Sequence, residues 1–188
     1  METENNHNNA TVTKLRPIPS PITHLSFMAS QIWLRIIAAV TSTVAAVLLF
    51  NSRQSKVLFG TNLDARYSYS PAFKFFGMMN IVVCVFSVFS LLPVFTLGRK
   101  FSNSINYFFL FLHDLLLTLL MAGGCGAATT VAQVGKFGNS HAGWMPICDN
   151  FGKFCNKVEA TLILGYVSAV CYVLLTIISA NKARQVTV

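Results

Sequence analysis

Four uninterrupted apolar stretches, each long enough to cross a lipid bilayer, restrict this chain to very few folds. They run at about residues 30–50, 73–97, 105–134 and 158–180, and each exceeds the roughly 17 to 20 residues that hydrocarbon of ~30 Å demands of a helix. Inside hydrocarbon the backbone must satisfy its own hydrogen bonds, which leaves α-helices or a closed barrel. A barrel is built from short alternating segments, whereas these runs are continuous. The expected fold is therefore all-α, a four-helix transmembrane bundle with both termini on one side. Composition agrees: 54% of the 188 residues are apolar and 11% are charged, against about a quarter charged in a soluble domain. The third run is the longest, and at about 1.5 Å per residue it outruns the hydrocarbon, so tilt or projection is expected.

Outside the runs, residues 1–29 hold an Asn-rich start and the segment Arg16-Pro17-Ile18-Pro19-Ser20-Pro21. That composition cannot bury enough to fix a fold and reads as a disordered cytosolic tail. Residues 181–188 read as a second, short cytosolic tail. The chain opens without a basic start followed by an apolar core, so the first run is expected to remain as a combined signal and anchor. The formal charge is +8, but the fourteen Lys and Arg are scattered among short polar segments. That scatter suits membrane lipid headgroups and excludes a nucleic-acid face.

Sidedness rests on density. Arg99 and Lys100 fall in a seven-residue linker, and Lys182 and Arg184 follow the last run directly, which places the termini in the cytoplasm. On that choice the glycosylation pattern Asn9-Ala10-Thr11 lies on the wrong side to be used. Cys148 and Cys155 then lie in an outward loop, CDNFGKFC. A disulfide there would suit an oxidising side; two unpaired thiols and a metal site are the alternatives. Only His141, Asp149 and Glu159 stand near enough to complete a metal site, in a spacing that matches no strong metal pattern. Cys84, Cys125 and Cys171 sit inside apolar runs as small hydrophobes.

Arg35 and Asp114 carry the most information, because a lone charge at membrane depth costs several kcal/mol and is usually paired or functional. Runs one and three point the same way; Arg35 lies a turn or two past the start of its run and Asp114 about nine residues past the start of its own, so the two reach similar depths. An intramembrane ion pair follows as the expectation. The alternatives are an Arg35 that snorkels to the headgroups with Asp114 held by His113 or protonated, and a proton or ion path through His113-Asp114 that would make the chain a small-solute or ion/proton transporter or channel subunit. Run three continues through Ala122-Gly123-Gly124-Cys125-Gly126-Ala127-Ala128, where Gly123, Gly124, Gly126 and Ala127 form a flat ridge suited to close helix packing, within the bundle or with another copy. Asn80, Thr41, Ser42 and Thr43 are expected to bond between helices, with Lys157 as a candidate partner for Glu159. No phosphate loop, no HExxH and no Ser, His, Asp set on separate loops is present. The chain is expected to be no enzyme, with no catalytic residue, cofactor or metal.

These residues carry a resemblance. Arg35, the segment Tyr69-Ser70-Pro71-Ala72-Phe73-Lys74-Phe75-Phe76, Asp114 and the Cys148, Cys155 pair resemble the plant Casparian strip membrane domain protein-like (CASP-like) family, a tetraspan group related to the MARVEL proteins. The likeness spans about residues 30–180. It implies a plasma-membrane protein with cytosolic termini that forms homo-oligomers and hetero-oligomers with related tetraspan proteins. It also implies a scaffold that meets cell-wall-side proteins, as the founding members mark where the root lignin barrier is laid down. By likeness, Arg35 and Asp114 correspond to the family's intramembrane charged pair, and Cys148 and Cys155 to its outer-loop cysteines. Val57 to Ser68 reads VLFGTNLDARYS and departs from the longer signature of the barrier-forming members.

The even number of spans is testable directly. Reporter fusions to residue 1 and to residue 188 should report the same face of the membrane, and protease protection should agree.

Overall fold

In the computed structural model, residues 21–58, 60–100 and 104–187 are described, the side chains of 21–25, 58, 93–100, 104–105 and 185–187 excepted. The elements are α1 (Pro21–Phe50), β1 (Arg53–Leu58), β2 (Thr61–Arg66), α2 (Pro71–Lys100), α3 (Ser104–Phe137) and α4 (Gly152–Thr187), with short 3-10 turns at Tyr67–Tyr69 and Ser140–Ala142. The protein is a bundle of four long apolar helices, whose stretches Ser26–Phe50, Pro71–Leu92, Asn106–Phe137 and Gly152–Arg184 are long and apolar enough to span a membrane.

Burial is inverted relative to a soluble protein. Gln31, Arg35, Ser42, Asn80, Ser87, Asp114, Thr161, Ser168 and Ser179 have no exposed surface, while Trp33, Val40, Phe89, Leu116 and Ile163 are exposed. Water would reward the opposite arrangement; lipid solvates the apolar outside and leaves polar groups to find one another within.

Each helix meets two neighbours: α1 lies against α2 and α4, and α3 against α2 and α4. Helices α1 and α3 thus occupy opposite corners of the bundle. The core between them is built from Ala38, Leu49, Phe76, Val83, Met121, Cys125, Tyr172 and Leu175.

The helices extend past the apolar runs. α1 begins at Pro21 instead of near residue 30, so residues 21–29 belong to a helix and not to a tail; residues 1–20, including Asn9-Ala10-Thr11, lie outside the described part. Proline suits a first helical position because its missing N–H has no partner there anyway. Tertiary contacts then hold the extension: the Phe27 ring meets Tyr107 edge-on at 6.3 Å, and Lys182 Nζ lies 5.6 Å from its centroid. α2 runs from Pro71 through Pro93 to Lys100, and α4 starts at Gly152 and continues to Thr187. Local turn and charge signals mark where the apolar runs end, and helices that have support continue beyond them.

The first loop is a β-hairpin that the sequence reading did not foresee. Arg53 pairs with Arg66, Ser55 with Asp64 and Leu58 with Thr61, and Gly60 at φ 79 supplies a backbone conformation that L side chains rarely adopt. Ser55 and then Arg66 hold the Asp64 carboxyl below the usual carboxylate range. The hairpin is tied to the bundle by Gln54, whose Oε1 accepts from the Phe154 N–H at 3.0 Å, and by Phe50 against Tyr67.

The small residues divide sharply. A Cβ on Gly165 would sit 2.6 Å from the Phe76 ring and 3.3 Å from Cys125 Sγ, and one on Gly124 would make ordinary contact with Phe76 and Met79; at Gly123 and Gly126 it would meet nothing within 4 Å. Gly165, not the ridge on α3, is the helical glycine against which a neighbouring side chain presses most closely. Gly165→Ala should therefore lower stability by about 1–3 kcal/mol through overpacking, whereas Gly123→Ala should stay within ~0.5 kcal/mol. Thermal unfolding of the two variants in detergent checks the contrast.

Candidate functional site

One layer of the bundle gathers a polar residue from every helix. Gln31 and Arg35 stand four residues apart on α1, one helical turn, and so share a face. Ser90 comes from α2, Asp114 from α3 and Ser179 from α4. Arg35 Nη2 donates to Asp114 Oδ1 at 2.7 Å and to Oδ2 at 2.9 Å, with Gln31 Oε1 at 3.3 Å. Its Nη1 donates to Ser90 Oγ at 2.7 Å. The circuit closes through Gln31 Nε2, which donates to Ser179 Oγ at 3.3 Å, and the Ser179 hydroxyl, which donates to Asp114 Oδ2 at 2.9 Å. Both charged side chains have zero exposed surface.

In this arrangement the two charges face each other across the bundle diagonal. Arg35 does not snorkel, and His113 is not the partner of Asp114; its ring lies 5.6 Å from Phe86. Among the described residues, three buried polar atoms, Arg35 Nε, Asn80 Oδ1 and His113 Nε2, have no hydrogen-bond partner. A pair of this kind is costly to desolvate but costlier to break, since removing one partner strands the other in a medium of low dielectric.

Further polar rungs run away from this layer toward the hairpin end. Ser87 Oγ and the Tyr172 hydroxyl lie 2.6 Å apart across the α2–α4 diagonal, Thr118 meets Thr176 and Ser42 meets Ser168 at 2.8 Å. Of the four residues expected to bond between helices, Ser42 does so, and Thr43 meets Cys84 Sγ at 3.0 Å. Thr41 and Asn80 instead bond carbonyls of their own helices, which lie within reach one turn back. Glu159 pairs with Lys136 at 3.1 Å, while Lys157 donates to the Asn51 carbonyl.

At the hairpin end, Cys148 and Cys155 are joined in a disulfide with Cα atoms 5.7 Å apart. The bond ties loop three to the first turn of α4. The same loop is held to α3 by the Ile147 and Cys148 amides, both donating to the Gly135 carbonyl, and is braced internally by Asn139, whose side chain accepts from the His141 and Ala142 amides. Cys84, Cys125 and Cys171 are free thiols. Among the described residues, no group of three His, Cys, Asp or Glu is placed to hold a metal.

The Casparian strip membrane protein domain matches residues 25–171. The chain belongs to the CASP-like family. It is 51% identical over 159 residues to CASP-like protein 1F1 of Populus trichocarpa, covering 85% of this chain and 88% of that one. Against CASP-like protein 1F1 of Vitis vinifera it is 42% identical over 175 residues, covering 93% and 85%. Against CASP-like protein 1C1 of Arabidopsis thaliana it is 38% identical over 149 residues, covering 79% and 86%. No solved structure matches.

Gln31, Ser90 and Ser179 were not singled out in the CASP-like sequence, although the i, i+4 spacing of Gln31 and Arg35 marks the first as a neighbour of the charge. Ser90 and Ser179 carry no such sign, since serines are scattered along α2 and α4 and only the packing selects two of them. The network makes a sharp prediction. Arg35→Asp should lose about 3–5 kcal/mol and fail to accumulate, and adding Asp114→Arg should restore a measurable part of the membrane-fraction level on immunoblot. No restoration by the exchange would mean that the two side chains do not depend on each other.

Proposed function

We propose that this CASP-like protein is a non-enzymatic organiser of the plasma membrane. In this reading it self-associates laterally, forms mixed oligomers with related tetraspan proteins and marks a membrane domain for cell-wall modification. The observation that carries the proposal is the absence of exposed surface on Arg35 and Asp114. The two carboxylate oxygens and both Nη atoms bond one another, Gln31, Ser90 and Ser179, as in a structural clamp. A transporter has to bring water or solute to such a carboxylate, and a dry pair of this kind supports packing over passage. Family membership supports the same class of role. Kinship with the MARVEL proteins belongs to this reading too, resting on the shared four-span plan.

Self-association would use the outward face of α3. Gly123 and Gly126 point away from the bundle with open space around them, and a neighbouring helix could approach there closely. Termini in the cytoplasm complete the picture: the basic residues Lys182 and Arg184, in the last turns of α4, would lie on the inner side, and the hairpin and the disulfide-bonded loop would face the wall and its proteins.

The test is lateral mobility. A tagged chain should recover slowly after photobleaching and migrate as an oligomer on blue-native electrophoresis, and Gly123→Leu with Gly126→Leu should move it toward monomer and faster recovery while leaving its thermal stability unchanged. Free diffusion of the unaltered chain as a monomer would overturn the proposal.

A further inference from the structure

Between the last turns of α3 and the first turns of α4 lies a cavity of about 750 Å³, within the ~300–1,000 Å³ range of small-molecule sites. Both walls belong to stretches long and apolar enough to span, Asn106–Phe137 and Gly152–Arg184. Ile163 and Tyr166 on its wall are 60% and 45% exposed, so the cavity is a groove bordering the space that lipid fills.

Its polarity is graded along its length. At the loop end stands the ion pair of Lys136 and Glu159, 3.1 Å apart with side chains 51% and 57% exposed, at the place where α3 ends and α4 has just begun. Deeper in, the walls are Val131, Leu162 and Ile163. At the floor the Thr129 and Tyr166 hydroxyls bond each other at 2.9 Å, so neither demands a polar occupant. Glu159 and Tyr166 are separated by two helical turns, about 10 Å of rise. Charged groups at headgroup depth above an apolar trough of that length match an amphiphile with a polar head and an alkyl chain.

We propose that this groove holds one zwitterionic phospholipid of the phosphatidylcholine class. Its phosphate meets Lys136, its ammonium meets Glu159, and one acyl chain runs along Val131, Leu162 and Ile163 to the Thr129–Tyr166 floor. Charge complementarity decides the class: a cation beside an anion at the membrane edge is answered by a headgroup carrying the opposite order of charges. An anionic lipid would satisfy Lys136 but face Glu159 with like charge. Loop three roofs the site through Trp144 and Ile147, and the Cys148–Cys155 bond holds that roof to α4.

The experiment uses the full chain reconstituted in phosphatidylcholine vesicles containing a trace of phosphatidylcholine with a diazirine on its acyl chain, followed by peptide mapping after illumination. Label should concentrate in peptides covering residues 129–166, with about tenfold less on α1 and α2, which corresponds to ~1.4 kcal/mol. Ile163→Trp, an exposed position where a larger ring fills the trough, should remove that concentration with thermal stability retained. Glu159→Lys should shift the preferred probe from phosphatidylcholine to a phosphatidylglycerol analogue. Label spread evenly over all four helices, label undiminished in Ile163→Trp, equal labelling by the two headgroups in the unaltered chain, or crosslinks from a second copy into residues 129–166 would each overturn the assignment.

Discussion

A guanidinium and a carboxylate with no access to water govern the architecture of this protein. Arg35 and Asp114 sit on helices at opposite corners of the bundle, and their contact at 2.7 Å requires the intervening α2 and α4 to leave the centre of that layer open to polar atoms. Ser90 and Ser179 fill that requirement from the two sides. Each donor or acceptor left over in hydrocarbon would cost several kcal/mol, so the ring through Gln31 is a condition for placing the charges there at all. Because the pair acts only at short range and only in one alignment of the helices, it sets the relative depth of α1 and α3 more narrowly than apolar contact can.

The rungs at Ser87–Tyr172, Thr118–Thr176 and Ser42–Ser168 extend the same logic along the bundle. Lipid tails are as apolar as leucine, so helix association in a membrane relies on close packing and on polar contacts. The close packing of the Phe76 ring on Gly165 supplies the first, and the hydroxyl pairs supply the second. Both act inside the chain, which leaves the Gly123 and Gly126 face of α3 outside the intramolecular account. At the hairpin end, the disulfide, the Gln54 contact and the Lys136–Glu159 pair fasten two loops onto the helix ends with bonds that tolerate water.

The division between what could and could not be read from the chain follows from the range of the forces involved. The four spans were legible because hydrocarbon thickness imposes a length and a composition that no local detail can disguise. Arg35 and Asp114 were legible because charge within such a span is conspicuous. Helix ends were less so: Pro21 starts α1 well before the apolar run because Phe27 finds Tyr107 and Lys182, contacts made by distant parts of the chain. The β-hairpin escaped because six-residue strands with mixed polar side chains carry no strong alternation. Gly165 escaped because a solitary glycine in α4 gives no hint of the ring that will press against it, while the conspicuous ridge on α3 is divided, with Gly124 turned inward and Gly123 and Gly126 outward.

The amino-acid order by itself determined that this chain enters a membrane as four helices, that it carries one cation and one anion too deep to leave unpaired, and that it bears the marks of the CASP-like family. Those properties are sums over local residues and need no partner to be true. Tertiary structure alone decided which serines and which glutamine complete the ionic ring, which glycine permits close approach, and where a lipid-facing groove opens between α3 and α4. Each of these depends on the rotation of one helix about its axis relative to its neighbours, a variable fixed by the packing of all four together.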